Sequence, residues 1–335
     1  MKDLRRRLLA GLALGFVVLV VLTFFGDARQ VTGRLAGFTW PLAPLVLGCT
    51  LFNYTLRFLK WQFYLHQIGA ADLSVRDSAR LFVGGFPLAV TPGKVGEVLK
   101  AVWLGQKTGI PVTRGVAVVL AERLSDGLAV ITLSALGVIA YPRYAPAFAA
   151  ALGILIGVII VSQIRPLALR LLAWAERIPG VRRLSGGLHE LYEGSYALFR
   201  PRATLIAVGL GTLSWLGEGV GFYLILIGLG VTGGWETAGK AVFILSFATV
   251  IGALSTLPGG LGAAEGTIAG MLALVMSLPG SVAAAATLLI RFATLWFGVT
   301  LGLLVWMRSP ELLGLASTRA ATDPTWNPRS GPHPS

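Results

Sequence analysis

The stretch FVGGFPLAVTPGKVGEVLKAVW, from Phe82 to Trp103, decides the fold. Two short apolar runs meet in it at Pro92, Gly93 and Lys94, and neither run reaches the roughly 20 residues that a helix needs to cross a bilayer. Helix-breaking and charged residues therefore fall where a continuous spanning helix would reach the middle of the membrane. The pattern predicts a hairpin that enters the membrane and turns back, with its tip buried in protein or lining a wet cavity.

A second interrupted segment, residues 247–275, turns on LPGGLGAAEG at 257–266. Paired interrupted segments in corresponding places of two halves mark transport sites. Short matches occur in the same order in both halves: Phe63-Tyr64-Leu65 with Phe222-Tyr223-Leu224, Pro92-Gly93 with Pro258-Gly259, and Arg123 with Arg291. Because three spans separate the two units, they are predicted to point opposite ways, as an inverted-topology internal repeat with halves at about 8–145 and 146–308.

The composition excludes a soluble globular protein, because 55% of the residues are hydrophobic, 13% are charged and the mean hydropathy is +0.76. The net charge of +13 does not indicate nucleic-acid binding, which needs a basic face on a soluble domain. Most lysines and arginines lie in predicted inner loops, such as residues 100–114. Only Arg29 and Arg34, in an outer loop at 26–39, and Arg143 lie on the other side. This asymmetry predicts cytoplasmic N- and C-termini in the cytoplasmic (inner) membrane.

The apolar segments predict an all-α polytopic membrane protein with about six full spans and two opposed re-entrant hairpins, or eight spans if the hairpins are counted. The predicted spans are residues 8–25, 41–65, 116–140, 147–161, 203–231 and 281–307. The membrane domain thus covers residues 1–308. It includes a cytoplasmic amphipathic segment at 162–202, expected on the inner leaflet or, alternatively, against a partner. The tail at 309–335 is predicted to be disordered.

Charged residues near the two tips are the main candidates for a site, because charges at membrane depth are costly and seldom lack a function. Lys94, beside the free N–H groups of the half-helix that follows the first tip, is expected to help hold a phosphate or other anionic headgroup. Glu97 and Glu265 follow the tips. They are expected either to pair with Arg123 and Arg291 or to contact a cationic headgroup or a coupling ion.

Other charges lie within the predicted spans. Glu122 and Asp126 share one helix face, with Arg123 about 100° round the helix. Arg57 and Lys60 lie one turn apart on one face, where they either reach the inner headgroups or contact a lipid phosphate. Glu218 lies inside the fifth predicted span.

The sequence carries no catalytic constellation. Cys49 is the single cysteine, which excludes disulfides and thiolate metal sites within one chain. The three histidines fall in predicted loops or in the tail, and no cluster of metal ligands occurs. The sequence therefore predicts neither an enzyme, nor a metal, nor a cofactor.

Three motifs, PGKVGE at 92–97, AERLSDG at 121–127 and PGGLGAAEG at 258–266, resemble those of the lysylphosphatidylglycerol synthetase transmembrane-region family, also called the flippase-like domain. The resemblance covers roughly residues 8–308. It implies a membrane domain that moves an aminoacylated or otherwise modified lipid between leaflets. Some members continue into a soluble aminoacyl-transferase domain. No such domain follows here, so the chain is expected to be a stand-alone member that does not attach an amino acid itself.

The resemblance implies that the motif residues line the central cavity: Pro92, Gly93, Gly96, Glu97, Glu122, Arg123, Asp126, Pro258, Gly259, Gly262 and Glu265. Lys94 and Arg291 are expected to line it as well, with Arg57, Lys60 and Glu218 as secondary candidates.

The expected function is that of a flippase for an aminoacylated, glycosylated or isoprenoid lipid with an anionic or zwitterionic headgroup. A lipid-biosynthesis enzyme is a possible partner. Three other functions stay open at this point: a small-solute or ion-coupled secondary transporter, a membrane-embedded lipid-modifying enzyme, and an assembly scaffold.

Overall fold

The computed structural model describes residues 15, 17, 27–91, 96–140, 145–166, 169–170 and 185–309. Within these ranges the chain forms helices and no β-strand, which confirms the all-α fold class. The α-helices used below are α1 Ala28–Ala36, α2 Ala43–Gln67, α3 Val75–Gly84, α4 Val98–Thr108, α5 Val112–Ala140, α6 Ala145–Gln163, α7 Ser185–Leu198, α8 Pro201–Gly228, α9 Trp235–Leu254, α10 Ala263–Met276, α11 Gly280–Arg291 and α12 Phe297–Arg308. Short 3-10 turns at Phe86–Val90 and Pro258–Gly260, and a π-helical turn at Phe292–Trp296, interrupt them.

Several of these helices are long and apolar enough to cross a bilayer, as expected of a multi-pass membrane protein. In the described part of the chain they are Trp40–Gln67, Pro201–Gly228, Trp235–Leu254, Pro258–Met276 and Gly280–Arg308. The first, second and last of these coincide with predicted spans. Helices α5 and α6 cover the predicted spans at 116–140 and 147–161. The predicted first span at 8–25, apart from residues 15 and 17, and the predicted tail beyond Ser309 lie outside the described residues.

Two details differ from the sequence-based expectation. Residues 26–39, expected as a loop, contain α1, because the Asp27 side chain accepts a hydrogen bond from the Arg29 N–H and caps the helix. The two interrupted segments are also unequal. Helices α3 and α4 have 10 and 11 residues, whereas α9 and α10 have 20 and 14. The arms of the first segment are therefore too short to cross a bilayer. The second segment contains Trp235–Leu254 and Pro258–Met276, which with the turn before α10 are both long enough.

Buried apolar side chains form two separate clusters. One, here called the Phe222 cluster, centres on Phe222, Ile244 and Leu272. The other, called the Trp61 cluster, centres on Trp61 and Leu104. It also contains buried side chains from later parts of the sequence, among them Leu198 and Trp306.

Helices α2, α5 and α8 pass through both clusters and carry their polar residues between them. Helix α2 contributes Val46 to the Phe222 cluster and Trp61 to the other, α5 contributes Ile131 and Ala121, and α8 contributes Phe222 and Ala207. Between these positions lie the buried residues Asn53, Lys60, Ser125, Asp126, Ser214 and Glu218 and the partly buried Arg57, here called the polar layer. The fold thus holds a polar layer between two apolar clusters.

Helix α12 packs closely against α3 and the turn that follows it. The Trp306 Nε1–H donates a hydrogen bond to the Gly84 carbonyl at 2.8 Å. A Cβ added at Gly302 would lie 2.2 Å from the Pro87 ring and 2.8 Å from the Val83 carbonyl oxygen. Only a glycine allows this approach, which joins the last described helix to the first interrupted segment.

We expect Gly302→Ala to destabilise the protein by about 1–3 kcal/mol, because backbone atoms on α3 leave no room for the methyl group. Gly270→Ala is the matched control, since nothing lies within 4 Å of that position and alanine favours a helix. The melting temperatures of both variants can be measured in detergent with a thiol dye, which reacts with the partly buried Cys49 as the protein unfolds. Equal melting temperatures for the two variants would contradict the packing described here.

Candidate functional site

The turn that leads into the first tip touches the tip of the second interrupted segment. The 3-10 turn Phe86–Val90 contacts the turn Pro258–Gly260. A Cβ at Gly259 would lie 3.4 Å from the Val90 side chain. Gly259, Gly260 and Gly262 have φ angles of 61°, 68° and 86°, which glycine adopts without strain. The second tip therefore depends on its glycines, and it contacts the turn Phe86–Val90 of the first segment.

A glutamate and an arginine form an ion pair behind each tip. The Arg123 Nε lies 3.2 Å from Glu97 Oε2, and the Arg291 Nε lies 2.6 Å from Glu265 Oε1. Both glutamates are almost fully buried, whereas the Arg123 side chain is 32% exposed and that of Arg291 is 13% exposed. The sequence left two possibilities for these glutamates, and in the structure both form ion pairs within the protein.

The second pair also fixes the backbone of its tip. Glu265 Oε2 accepts a hydrogen bond from the Gly262 N–H at 2.7 Å, and Arg291 Nη2 donates one to the Gly259 carbonyl at 2.9 Å. The π-helical turn that begins at Phe292 follows the arginine directly. Such turns occur frequently at functional sites. Arg291 thus links α11, α10 and the tip in one network.

A second group of charges joins α2 to α5 in the polar layer. The Lys60 ammonium contacts Asp126 Oδ1 directly and lies 3.2 Å from the Ser125 hydroxyl. Arg57 approaches the other oxygen of Asp126 at 3.5 Å, and its buried Nε has no hydrogen-bond partner among the described residues. Two cations therefore share one carboxylate here, and the Arg57 guanidinium has donors to spare.

Sequence reasoning missed Lys100, which it assigned to a basic inner loop. The residue lies in α4, is 5% exposed, and its ammonium contacts Glu122 Oε2 at 2.8 Å. It also lies 4.4 Å from the centre of the Trp61 ring, close enough for a cation–π contact. Its spacing of three from Glu97 was the available signal, since both then lie near one face of a helix. Glu122 is consequently held in a buried ion pair.

Glu218 differs from the other buried acids. It is 5% exposed, and among the described residues no cation lies within ion-pairing distance of its carboxylate. Arg57 and Arg291 are the cations close enough to act on it electrostatically. Gly217, its neighbour on α8, packs against Phe52 on α2. The adjacent Asn53 is fully buried with no hydrogen bond to either side-chain amide atom. Sequence reasoning had no signal for Asn53, a single polar residue in an apolar run.

The structure accordingly brings most of the predicted site residues together. Helix α5 carries both Arg123, of the first glutamate–arginine pair, and Asp126, of the polar layer. Glu218 lies within electrostatic reach of Arg57 and Asp126 in that layer and of Arg291 in the second pair. The Gly96 N–H donates a hydrogen bond to the Thr91 hydroxyl at 2.9 Å, so the two residues that flank positions 92–95 are in contact. Pro92, Gly93 and Lys94 lie outside the described residues.

Comparison with known proteins gives two matches. A family model described as the lysylphosphatidylglycerol synthase TM region matches residues 8–302. A protein of Methanothermobacter thermautotrophicus named UPF0104 membrane protein is 27% identical over 307 residues, which cover 85% of this chain and 88% of that protein. No solved structure matches the chain. The family match confirms the resemblance carried by the three sequence motifs.

We expect Glu122→Gln to destabilise the protein by about 3–5 kcal/mol, because it leaves the Lys100 charge buried without its partner. The double variant Lys100→Met/Glu122→Gln should recover most of this loss. Unfolding in detergent by a chemical denaturant measures both.

The exposed pair Arg114–Glu190 provides the control, with its atoms 2.7 Å apart and both side chains more than a third exposed. Glu190→Gln should change the free energy of unfolding by at most about 1 kcal/mol. If Glu122→Gln cost no more than Glu190→Gln, the buried ion pair would not be a structural element.

Proposed function

Because the chain belongs to the lysylphosphatidylglycerol synthase transmembrane-region family, we propose that it moves a lipid with a charged headgroup between the two leaflets of a membrane. The observation that carries this proposal is the contact between the two interrupted segments inside the protein, with a glutamate–arginine pair beside each. Broken apolar segments that face each other within the membrane are a known basis for alternating access.

The proposal includes an inverted repeat with two opposed re-entrant hairpins, the first entering from the cytoplasm and the second from the outer side. The same sequence offset relates Glu97 to Glu265 and Arg123 to Arg291, and each glutamate contacts the arginine of its own half. Equivalent contacts at equivalent positions support a repeat more strongly than short sequence matches do.

The proposed path for the headgroup runs past the tips and through the polar layer, while the lipid tails stay in the hydrocarbon. A phosphate on the headgroup would compete with Glu97 for Arg123, the more exposed of the two arginines behind the tips. Guanidinium groups bind phosphate through paired hydrogen bonds, and Arg57 has unused donors in the same region. Exchanging one anionic partner for another lets the arginine remain neutralised throughout, so no bare charge enters the bilayer.

The proposed substrate is an aminoacylated, glycosylated or isoprenoid lipid with an anionic or zwitterionic headgroup. We place the protein in the cytoplasmic membrane with both termini in the cytoplasm, acting as a transporter and not as an enzyme. A lipid-biosynthesis enzyme is the proposed source of the substrate.

One observation favours a second candidate, an ion-coupled transporter of a small solute. Glu218 is a buried carboxylate that has no direct cationic partner in the part of the chain that the structure describes. Ionisable residues of this kind, facing the interior of a bundle, are typical of ion and proton pathways. Glu218 would then hold the coupling ion, and the solute would cross the protein through the polar layer that contains Glu218.

We expect Arg123→Ala, Arg291→Ala and Glu97→Gln each to lower the rate at which a labelled lipid crosses the membrane of proteoliposomes, by tenfold or more. Each substitution removes one charged member of the glutamate–arginine pairs that we propose open to let the headgroup pass. The exposed pair Glu236–Lys240 supplies the control, so that Glu236→Gln should leave the rate unchanged.

Equal rates in all of these variants and the wild type would contradict the residue assignment. If no modified lipid crossed the proteoliposome membrane but a water-soluble solute showed saturable uptake, the second candidate function would replace the first.

The proposed orientation makes a separate prediction. Val75, at the start of α3, and Trp235, at the start of α9, are 65% and 95% exposed. In a Cys49→Ser background, Trp235→Cys should react with a membrane-impermeant maleimide added to intact cells. Val75→Cys should react only after the cells are opened. Labelling of both positions from the same side would contradict opposed hairpins.

A further inference from the structure

A groove lies between α3 and α12, at the end of the bundle where α12 finishes. It has a volume of about 410 Å³, within the range of small-molecule sites. The close contact of Gly302 with Pro87 and the hydrogen bond from Trp306 to Gly84 fix the two helices that form it. The shape of the groove is therefore set by the close packing of α3 against α12.

Three arginines converge on this groove from distant parts of the sequence. Arg76 and Arg80 lie one turn apart on α3, and Arg308 is the last residue of α12. Arg80 pairs with Asp77 at 3.3 Å, but within the described residues neither Arg76 nor Arg308 has an acidic partner. A general excess of positive charge on one side of a membrane does not require such convergence, so these arginines indicate a more specific role.

Apart from Ser309, the rest of the groove is apolar and continues onto an exposed apolar surface of α12. Val83, Leu301, Leu304 and Val305 line it. Leu304 is 42% exposed, and Met307, one turn further along α12, is 79% exposed. Cationic groups at one end and an apolar wall open to the bilayer at the other match a molecule with an anionic head and a hydrocarbon tail.

We propose that this groove binds an anionic phospholipid of the surrounding membrane, with its phosphate on Arg76, Arg80 and Arg308 and an acyl chain along Leu301 and Leu304. Guanidinium groups are well suited to phosphate, because their donors match two of its oxygens at once. The charge is complementary, since none of the described residues that line the groove is acidic and only Arg80 pairs with a carboxylate, that of Asp77. Free phosphate or an acidic peptide satisfies the arginines but leaves the apolar wall uncovered.

The proposed site is distinct from the polar layer and does not depend on transport. Phe82 and Trp306, on the same two helices, belong to the Trp61 cluster, which lies on one side of that layer. A lipid held here would cover the joint between α12 and the first interrupted segment. It would stabilise the folded protein whatever substrate the protein moves.

Native mass spectrometry of the full chain in detergent, titrated with phosphatidylglycerol or phosphatidylcholine, tests the proposal. The triple variant Arg76→Gln/Arg80→Gln/Arg308→Gln should bind phosphatidylglycerol at least tenfold more weakly. The exposed arginines Arg29, Arg200 and Arg202 lie outside the groove, so changing them to glutamine as a set is the control with the same net charge. Equal weakening by the two sets would overturn the proposal in favour of non-specific attraction.

A second pair of variants tests the apolar wall without altering charge. Leu304→Trp fills the groove and should weaken phosphatidylglycerol binding, whereas Leu303→Trp, on the neighbouring exposed position outside the groove, should not. Both sites are exposed, so neither change is expected to prevent folding. Millimolar inorganic phosphate should not displace the lipid. Displacement by phosphate, or equal binding by both tryptophan variants, would contradict a lipid site.

Discussion

Neutralising charged side chains between two apolar clusters is the constraint on which the rest of this structure depends. An isolated charge at the centre of a bilayer costs at least about 2.5–3.5 kcal/mol. Most of the buried charges accordingly meet a partner, and Glu218 is the exception among the described residues. The partners come from different helices: Lys60 on α2 meets Asp126 on α5, and Lys100 on α4 meets Glu122, also on α5. The need for neutralisation therefore decides which helices are neighbours. It makes α5 the element that holds the first half together.

The second tip shows how the turn geometry and the ion pair depend on each other. The left-handed backbone at Gly259 and Gly262 turns one carbonyl towards Arg291 and one N–H towards Glu265. A residue with a Cβ would be strained at these positions, and the arginine would lose its second acceptor. The glycines are thus required by the charge network as well as by the turn.

The long helices and the charges at membrane depth could be predicted, because apolar length and buried charge are both visible in a single sequence. The pairing of Arg291 with Glu265 was one of two expectations, since an arginine beside an acid also suits a ligand. Partners far apart in the chain, such as Lys60 and Asp126, could not be assigned, because only tertiary packing brings α2 to α5. Lys100 was misplaced for a related reason: a short helix with polar ends has the composition of a loop.

The buried ion pair between Lys100 and Glu122 belongs to one half of the molecule. Under the proposed repeat, the offset that relates the two glutamate–arginine pairs aligns Lys100 with Ile268 and Glu122 with Ile290. Both isoleucines are buried, so the second half replaces a buried ion pair by apolar packing, which carries no desolvation cost.

The buried ion pair is therefore not needed to form the unit itself, since the other half forms without it. What the first half gains is a polar lining along α2 and α5, whereas the second half contributes Glu218 to the same layer. Two halves with matching tips but unequal linings do not offer two equivalent routes. A headgroup that passes the tips meets hydrogen-bonding groups along α2 and α5 and mostly apolar side chains along α11, and the proposed path follows the first half.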